Sequence, residues 1–255
     1  RGGSVDVGGS AVGAGGTPLG GGCGWAGGPW GTRRLPARVD VLGGWWAMAA
    51  EGLLWPSIRA SLARAGAGLL LGTAVAIPLG ILAGASALGL SRVDKPIHML
   101  RAIPFPALSP LFIIWFGIGE TMKVLLIAVG AFGLVYVNLR DGVRAIDPRL
   151  IELATVHRVP RRIIVLRILL PGAIPHLMTG LRFAVTVSWI GLVTCETVNS
   201  MTGIGYILSR SQQFSRMDDM VLCVVLYAIL GVLSETAVGA LERAVTPWTR
   251  ASGRR

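Results

Sequence analysis

Residues 65–91 read AGAGLLLGTAVAIPLGILAGASALGLS, twenty-seven positions without a charged side chain, closed off by Arg64 and Arg92. A bilayer hydrocarbon core of about 30 Å takes about 20 apolar residues in helical form. Helix is the form that satisfies every backbone N–H and C=O within one segment. The stretch therefore predicts a membrane crossing, and four more follow it. Ala102 to Gly119 carries Pro104, Pro106 and Pro110 near its start. Val124 to Leu139 lies between Lys123 and Arg140. A fourth runs from about Pro171 to Cys195 with Arg182 inside it, and a fifth from near Met220 to about Leu241 with Glu235 inside it. Gly117-Ile118-Gly119-Glu120 reads as a tight turn between the second and third. The expected fold is an all-α membrane protein with five transmembrane helices in this chain.

Composition agrees. Apolar residues make up 53% of the 255 positions and charged ones 15%, against roughly 25% in soluble domains. Mean hydropathy is +0.65. The formal net charge of +11 does not point to nucleic acid, because the arginines sit between apolar segments and build no single basic face. Cys23, Cys195 and Cys223 are far apart and odd in number, so they read as small apolar residues. His98, His157 and His176 lack ligand spacing, and neither Lys95 nor Lys123 follows a glycine as a phosphate-binding loop requires. No catalytic residue, metal or cofactor is expected.

Residues 1–44 hold 16 of the 36 glycines and no continuous apolar run; they read as a disordered leader. The connections 92–101 and 140–167, with the C-terminal tail, hold fourteen basic residues. The opposite connections hold Lys123, Arg210 and Arg216. Short Lys/Arg-rich loops stay in the cytoplasm, which places the basic loops and the tail at 249–255 inside the plasma membrane. The first crossing then runs inward. Either the leader is exported or a sixth, N-terminal crossing precedes this sequence; Arg33, Arg34 and Arg38 suit the cytoplasmic end of such a helix. Trp45, Trp46 and Trp55 suit the outer interfacial belt.

The connection 140–167 is too long for a turn. Asp147-Pro148 is a helix start, aspartate capping free N–H groups and proline fitting the first helical position. Val159-Pro160 ends that helix, Pro160 opens a second through Arg161-Arg162, and Leu170-Pro171 stops it at the membrane edge. Two short helices result, either lying on the lipid surface or docking a cytoplasmic partner.

Asp147-Pro148-Arg149-Leu150-Ile151-Glu152-Leu153-Ala154, followed by Leu170-Pro171-Gly172-Ala173-Ile174-Pro175, resembles the EAA loop of binding-protein-dependent ABC importer permeases, closest to the aliphatic sulfonate, nitrate and taurine branch. Pro104-Phe105-Pro106-Ala107-Leu108-Ser109-Pro110-Leu111, Trp115-Phe116-Gly117-Ile118-Gly119-Glu120-Thr121 and Thr202-Gly203-Ile204-Gly205-Tyr206-Ile207 support it. The resemblance covers roughly residues 45–248. It implies a permease that pairs with a second permease subunit, usually an identical one, a cytoplasmic ATPase gripping the loop at about 140–171, and an extracytoplasmic solute-binding protein. It assigns Glu152, Leu153 and Ala154 to the docking helix, with Arg158, Pro160, Leu170 and Pro171 shaping the loop. Leu153 stands where alanine is usual. Arg158 stands where glycine is usual, and an L-residue in a left-handed conformation there carries a steric cost.

Arg182 is an intramembrane charge, which lines a pathway, sits at a subunit interface, snorkels to the surface or takes part in a structural pair. Glu235 is deep enough to pair with a basic residue. Glu196 reads as interfacial, and Gly203 and Gly205 as an outer turn. Two other functions fit less well: an ion-coupled secondary transporter or channel, for which there is no internal repeat, and a non-transporting scaffold with an impaired loop.

Overall fold

A computed structural model describes Gly52, residues 54–86 and residues 93–246. The glycine-rich leader, Trp45 and Trp46, Arg92 and the tail at 249–255 lie outside the described residues. Four helices are long and apolar enough to cross a membrane: α1 (Leu54–Ala85), α4 (Glu120–Arg144), α7 (Leu170–Asn199, reached through a helical run from Arg161) and α9 (Met217–Val245). Between them lie α2 (Lys95–Ala102), a 3₁₀ turn (Phe105–Leu108), α3 (Ser109–Phe116), α5 (Pro148–Val156), α6 (Arg161–Ile164) and α8 (Ile204–Gln213).

The expected second crossing is not one helix. Pro104, Pro106 and Pro110 break it into α2, the 3₁₀ turn and α3, since each proline lacks an N–H and clashes with the preceding turn. It still traverses the bundle, as its neighbours show. Gly68 of α1 faces Ile127, Gly72 faces Ala128 and Phe132, Gly80 faces Leu139, and Gly84 faces Val143. Both numbers rise together, so α1 and α4 run parallel, and the chain between them has to come back. Along α4 the broken segment descends: Asp94 bonds Tyr136 and Arg140, Arg101 packs on Gly133, and Leu108 and Phe112 pack with Leu126 and Met122. From Arg140 to Met122 is eighteen residues, or ~27 Å of helix. That is nearly a full hydrocarbon core. Five traverses stand.

Their bounds differ from those expected. The first begins at Leu54 and not at Ala65, because Arg64 is buried within α1. Leu170-Pro171 does not stop a helix either. A π-helical turn, Val165–Leu169, carries α6 into α7. Such a turn accommodates a proline that neither donates to the α-helical ladder nor fits against the carbonyl four residues back.

The core centres on α4. Its Ala131, Val135, Tyr136, Leu139 and Val143 pack with Ala76 and Ala83 of α1 and with Ala173, Leu177 and Ala184 of α7. Small residues permit the approach: a Cβ on Gly72 would collide with the Ala128 carbonyl oxygen, and one on Gly142 would sit 2.5 Å from His176 Cβ. Without a hydrophobic drive between helices in lipid, close packing of this kind supplies much of the association.

Candidate functional site

At the end of the bundle where α4 finishes, the chain turns through Ala145 and Ile146 into α5. Asp147 caps α5, its carboxylate accepting from the Arg149 N–H at 2.9 Å, and Pro148 takes the first helical position. The helix closes earlier than Val159-Pro160. Arg158 N–H donates to the Thr155 carbonyl at 2.9 Å and Val159 N–H to the Ala154 carbonyl at 3.0 Å. This is the Schellman pattern, whose outer residue is left-handed. That residue is Arg158, at φ 53°. The steric burden expected from arginine at this position is present in the backbone. Pro160 then stands at the N-cap of α6.

Of the three residues assigned to docking, Glu152 and Leu153 face outward and Ala154 is buried against the bundle. The outward face carries Leu150, Leu153 and Val156, 51%, 57% and 78% exposed, at spacings that put them on one side of the helix. Leu150, Leu153 and Ala154 of α5 also line a groove of about 560 Å³ together with Arg167, Pro171 and Gly172. Leu170, next in the chain to Pro171, is half-buried. An apolar ridge, a groove and a rim of arginines form a surface suited to another protein.

The opposite end carries a network that sequence reasoning missed. Arg64 binds Glu120 through Nε at 2.5 Å and Nη2 at 2.8 Å, Glu196 through Nη1 at 2.7 Å, and the Thr202 carbonyl and hydroxyl at 2.7 and 2.9 Å. Lys123 Nζ donates to Glu120 at 3.0 Å. Two cations and two carboxylates sum to zero, which is what lets Arg64, Lys123 and Glu196 be buried. Glu196 is therefore not interfacial. It accepts from the Ser61 hydroxyl at 2.8 Å and from the Gly205 N–H at 2.9 Å, while Ser61 accepts from the Ile204 N–H at 3.0 Å. Those two amides are free donors at the start of α8, so distant side chains cap it. The motif Thr202-Gly203-Ile204-Gly205 has its reason here. Gly203 is at φ 123°, and a Cβ on Gly203 or Gly205 would press within 2.5 Å of Glu196.

Arg182 is joined to Glu242 at 2.5 Å, not to Glu235, which is exposed on α9 and forms no ion pair among the described residues. Arg140 bonds Asp94 and Asp141. Burial pushes the Asp94 carboxyl up, but the Arg140 guanidinium and the Tyr136 hydroxyl outweigh it and hold the group below its ordinary value. Arg101, counted above with the loop 92–101, lies instead against Gly133 near the middle of α4. Cys195 and Cys223 are buried free thiols, and no three potential metal ligands converge among the described residues.

A bundle of five traverses that presents a capped, apolar-faced hairpin at one end is the architecture of a membrane-embedded transporter subunit. Residues 76–250 match the family of binding-protein-dependent transport system inner membrane components, and the chain belongs to that family. Two putative aliphatic sulfonates transport permease proteins are each 36% identical to it. That of Bacillus subtilis aligns over 84% of this chain and 78% of its own length, that of Escherichia coli over 86% and 84%. The taurine transport system permease protein of E. coli is 34% identical over 78% of this chain and 72% of its own. In fold it is similar to a chain of the inward-facing MetNI methionine ABC transporter, with a TM-score of 0.68 at 23% identity, covering 77% of this chain and 99% of that one. The chain is thus an inner-membrane permease subunit of an ABC importer. It makes no covalent bonds itself; a separate ATPase hydrolyses ATP, and a binding protein works with the pair.

Proposed function

We propose that this permease imports a small oxyanion of the sulfonate, taurine or nitrate kind, and that α5 is the element its ATPase grips. The substrate class rests on relatives named for aliphatic sulfonates, taurine and nitrate. One observation carries the coupling role: the stripe of Leu150, Leu153 and Val156 stands exposed on a short helix fixed at both ends by its caps. A rigid, apolar ridge is what a nucleotide-driven partner needs in order to pull on α4 and α7. Glu152 lies beside it and adds charge specificity. Two copies of this chain would present two equal ridges to two ATPase subunits, so a homodimer is the assembly we infer. The end bearing Arg144, Arg149, Arg158, Arg161 and Arg162 is cytoplasmic by the positive-inside rule. The opposite end, with the Arg64 network, then meets the binding protein. Pull-down of the ATPase by tagged permease tests the grip. Leu153→Asp and Glu152→Lys are expected to cut recovery at least tenfold while permease yield holds. Undiminished recovery with both variants overturns the role given to α5.

A further inference from the structure

Arg101 sits at the middle of the bundle, opposite Gly133 of α4, thirteen residues from Glu120 and eleven from Arg144. From the level of Arg140, near the membrane edge, Gly133 is seven residues or ~10 Å deep, and from Met122 eleven residues or ~16 Å, so Arg101 stands within the apolar span and not at its edge. The other arginines held within the bundle are compensated: Arg64 by Glu120 and Glu196, Arg140 by Asp94 and Asp141, Arg182 by Glu242. Arg101 has no acidic partner among the described residues, and it is exposed. A bare guanidinium facing lipid tails is strongly disfavoured, so its face meets water or a ligand. Beside it opens a cavity of about 260 Å³, walled by Pro104, Val129, Phe132 and Val187. The chain there is unwound between α2 and the 3₁₀ turn, an arrangement that membrane proteins tolerate where backbone lines a cavity.

We propose that this cavity is a mid-membrane subsite for an organic anion with a short apolar tail, an alkanesulfonate, its head on the Arg101 guanidinium and its tail against Val129, Phe132 and Val187. Guanidinium matches an oxyanion with two parallel N–H donors. The apolar wall has no use for nitrate but suits a chain of several methylenes. The volume lies just under the roughly 300–1,000 Å³ of sites for drug-sized ligands, right for a smaller solute. Gly133 belongs to the site as well: a Cβ there would stand 2.9 Å from Arg101 Cγ, so only glycine leaves the arginine stem in place. The inference rests on the importer reading given above and deepens it.

The test uses the complete complex of permease, ATPase and binding protein in proteoliposomes, with radiolabelled methanesulfonate and hexanesulfonate as probes. Arg101→Gln is expected to lower ATP-driven uptake of both at least tenfold while subunit recovery and basal ATP hydrolysis stay within twofold. Arg101→Lys is expected to restore part of it. Val129→Phe, which fills the wall and keeps the charge, is expected to lower hexanesulfonate uptake at least fivefold more than methanesulfonate uptake. With one unaltered binding protein throughout, that change in preference belongs to the permease. Equal uptake by Arg101→Gln and the unaltered complex overturns the subsite and leaves the importer reading standing. Loss of uptake together with loss of assembly in both Arg101 variants, with chain-length preference unmoved in Val129→Phe, assigns Arg101 a structural role and overturns it too. Absence of ATP-driven uptake of either sulfonate by the unaltered complex overturns the sulfonate reading and the subsite with it.

Discussion

Two residues carry costs that their surroundings offset, and both are open to measurement. Arg158 closes α5 in a left-handed conformation at φ 53°, which burdens an L-residue by about 1–2 kcal/mol. The two Schellman hydrogen bonds hold it there. Arg158→Gly keeps both bonds and removes the steric term, so the purified permease should gain about 1 kcal/mol, read as a higher midpoint of thermal unfolding. A lowered midpoint would mean that the arginine side chain makes a compensating contact. Glu196 is the second. It is 1% exposed and answers Arg64, Ser61 and the α8 amide of Gly205 at once. Glu196→Ala leaves Arg64 and Lys123 sharing the one carboxylate of Glu120, an unbalanced buried positive charge that costs about 3–5 kcal/mol, and is expected to abolish folded yield. Arg64→Met with Glu196→Gln removes both charges and should recover much of it. A double variant as poor as the single one would show that the pair's worth lies in its hydrogen bonds to α8, not in charge balance.

Between elements, contacts are set by glycines and by one ion pair near the membrane edge. Gly72→Val drives a side chain into the Ala128 carbonyl, and overpacking of this kind costs about 1–3 kcal/mol. Gly66→Val on the same helix meets nothing within 4 Å and serves as the control, so thermal unfolding should separate the two. Asp94 ties the start of α2 to the end of α4, and its folded pKa lies below the ordinary value. The stabilisation it brings is complete above the ordinary carboxylate range and is lost as pH falls through the lowered folded value. Acid unfolding should therefore flatten in Asp94→Asn, and an unchanged acid limb would remove Asp94 from the account. Sequence made the long helices legible, because an uncharged run of twenty residues has few other uses, and it made the α5 start legible through Asp147-Pro148. It misplaced Leu170-Pro171, since a proline written in sequence says stop whether or not a π turn absorbs it. It put Arg64 at a helix edge, Glu196 at the interface and Arg101 in a loop for one shared reason. In sequence a charge beside an apolar run reads as a boundary, whereas Arg64 and Glu196, which allow each other inside, lie 132 positions apart and no local pattern announces the pair.

At the scale of the molecule, the parallel run of α1 and α4 decides the topology, because it obliges the broken segment between them to cross. A helix interrupted by three prolines is a weak crossing by hydropathy alone, and among the described residues only four helices pass on length and apolar character. Geometry supplies the fifth: Asp94 lies level with Arg140, Arg101 with Gly133, and Phe112 with Met122. Discontinuous segments buried in protein are compatible with a membrane where their loose backbone lines a cavity, and the cavity beside Arg101 provides that lining. The consequence is a sidedness that single cysteines report. Ala85 and Thr121 are both exposed, one at the last residue of α1 and the other in the first turn of α4. With Cys23, Cys195 and Cys223 all replaced by alanine, Ala85→Cys and Thr121→Cys in sealed vesicles are expected to react with a membrane-impermeant maleimide from opposite faces. Labelling of both from one face would mean that residues 86–119 dip in and return on the same side, and the parallel packing of α1 against α4 would then have to be given up as well.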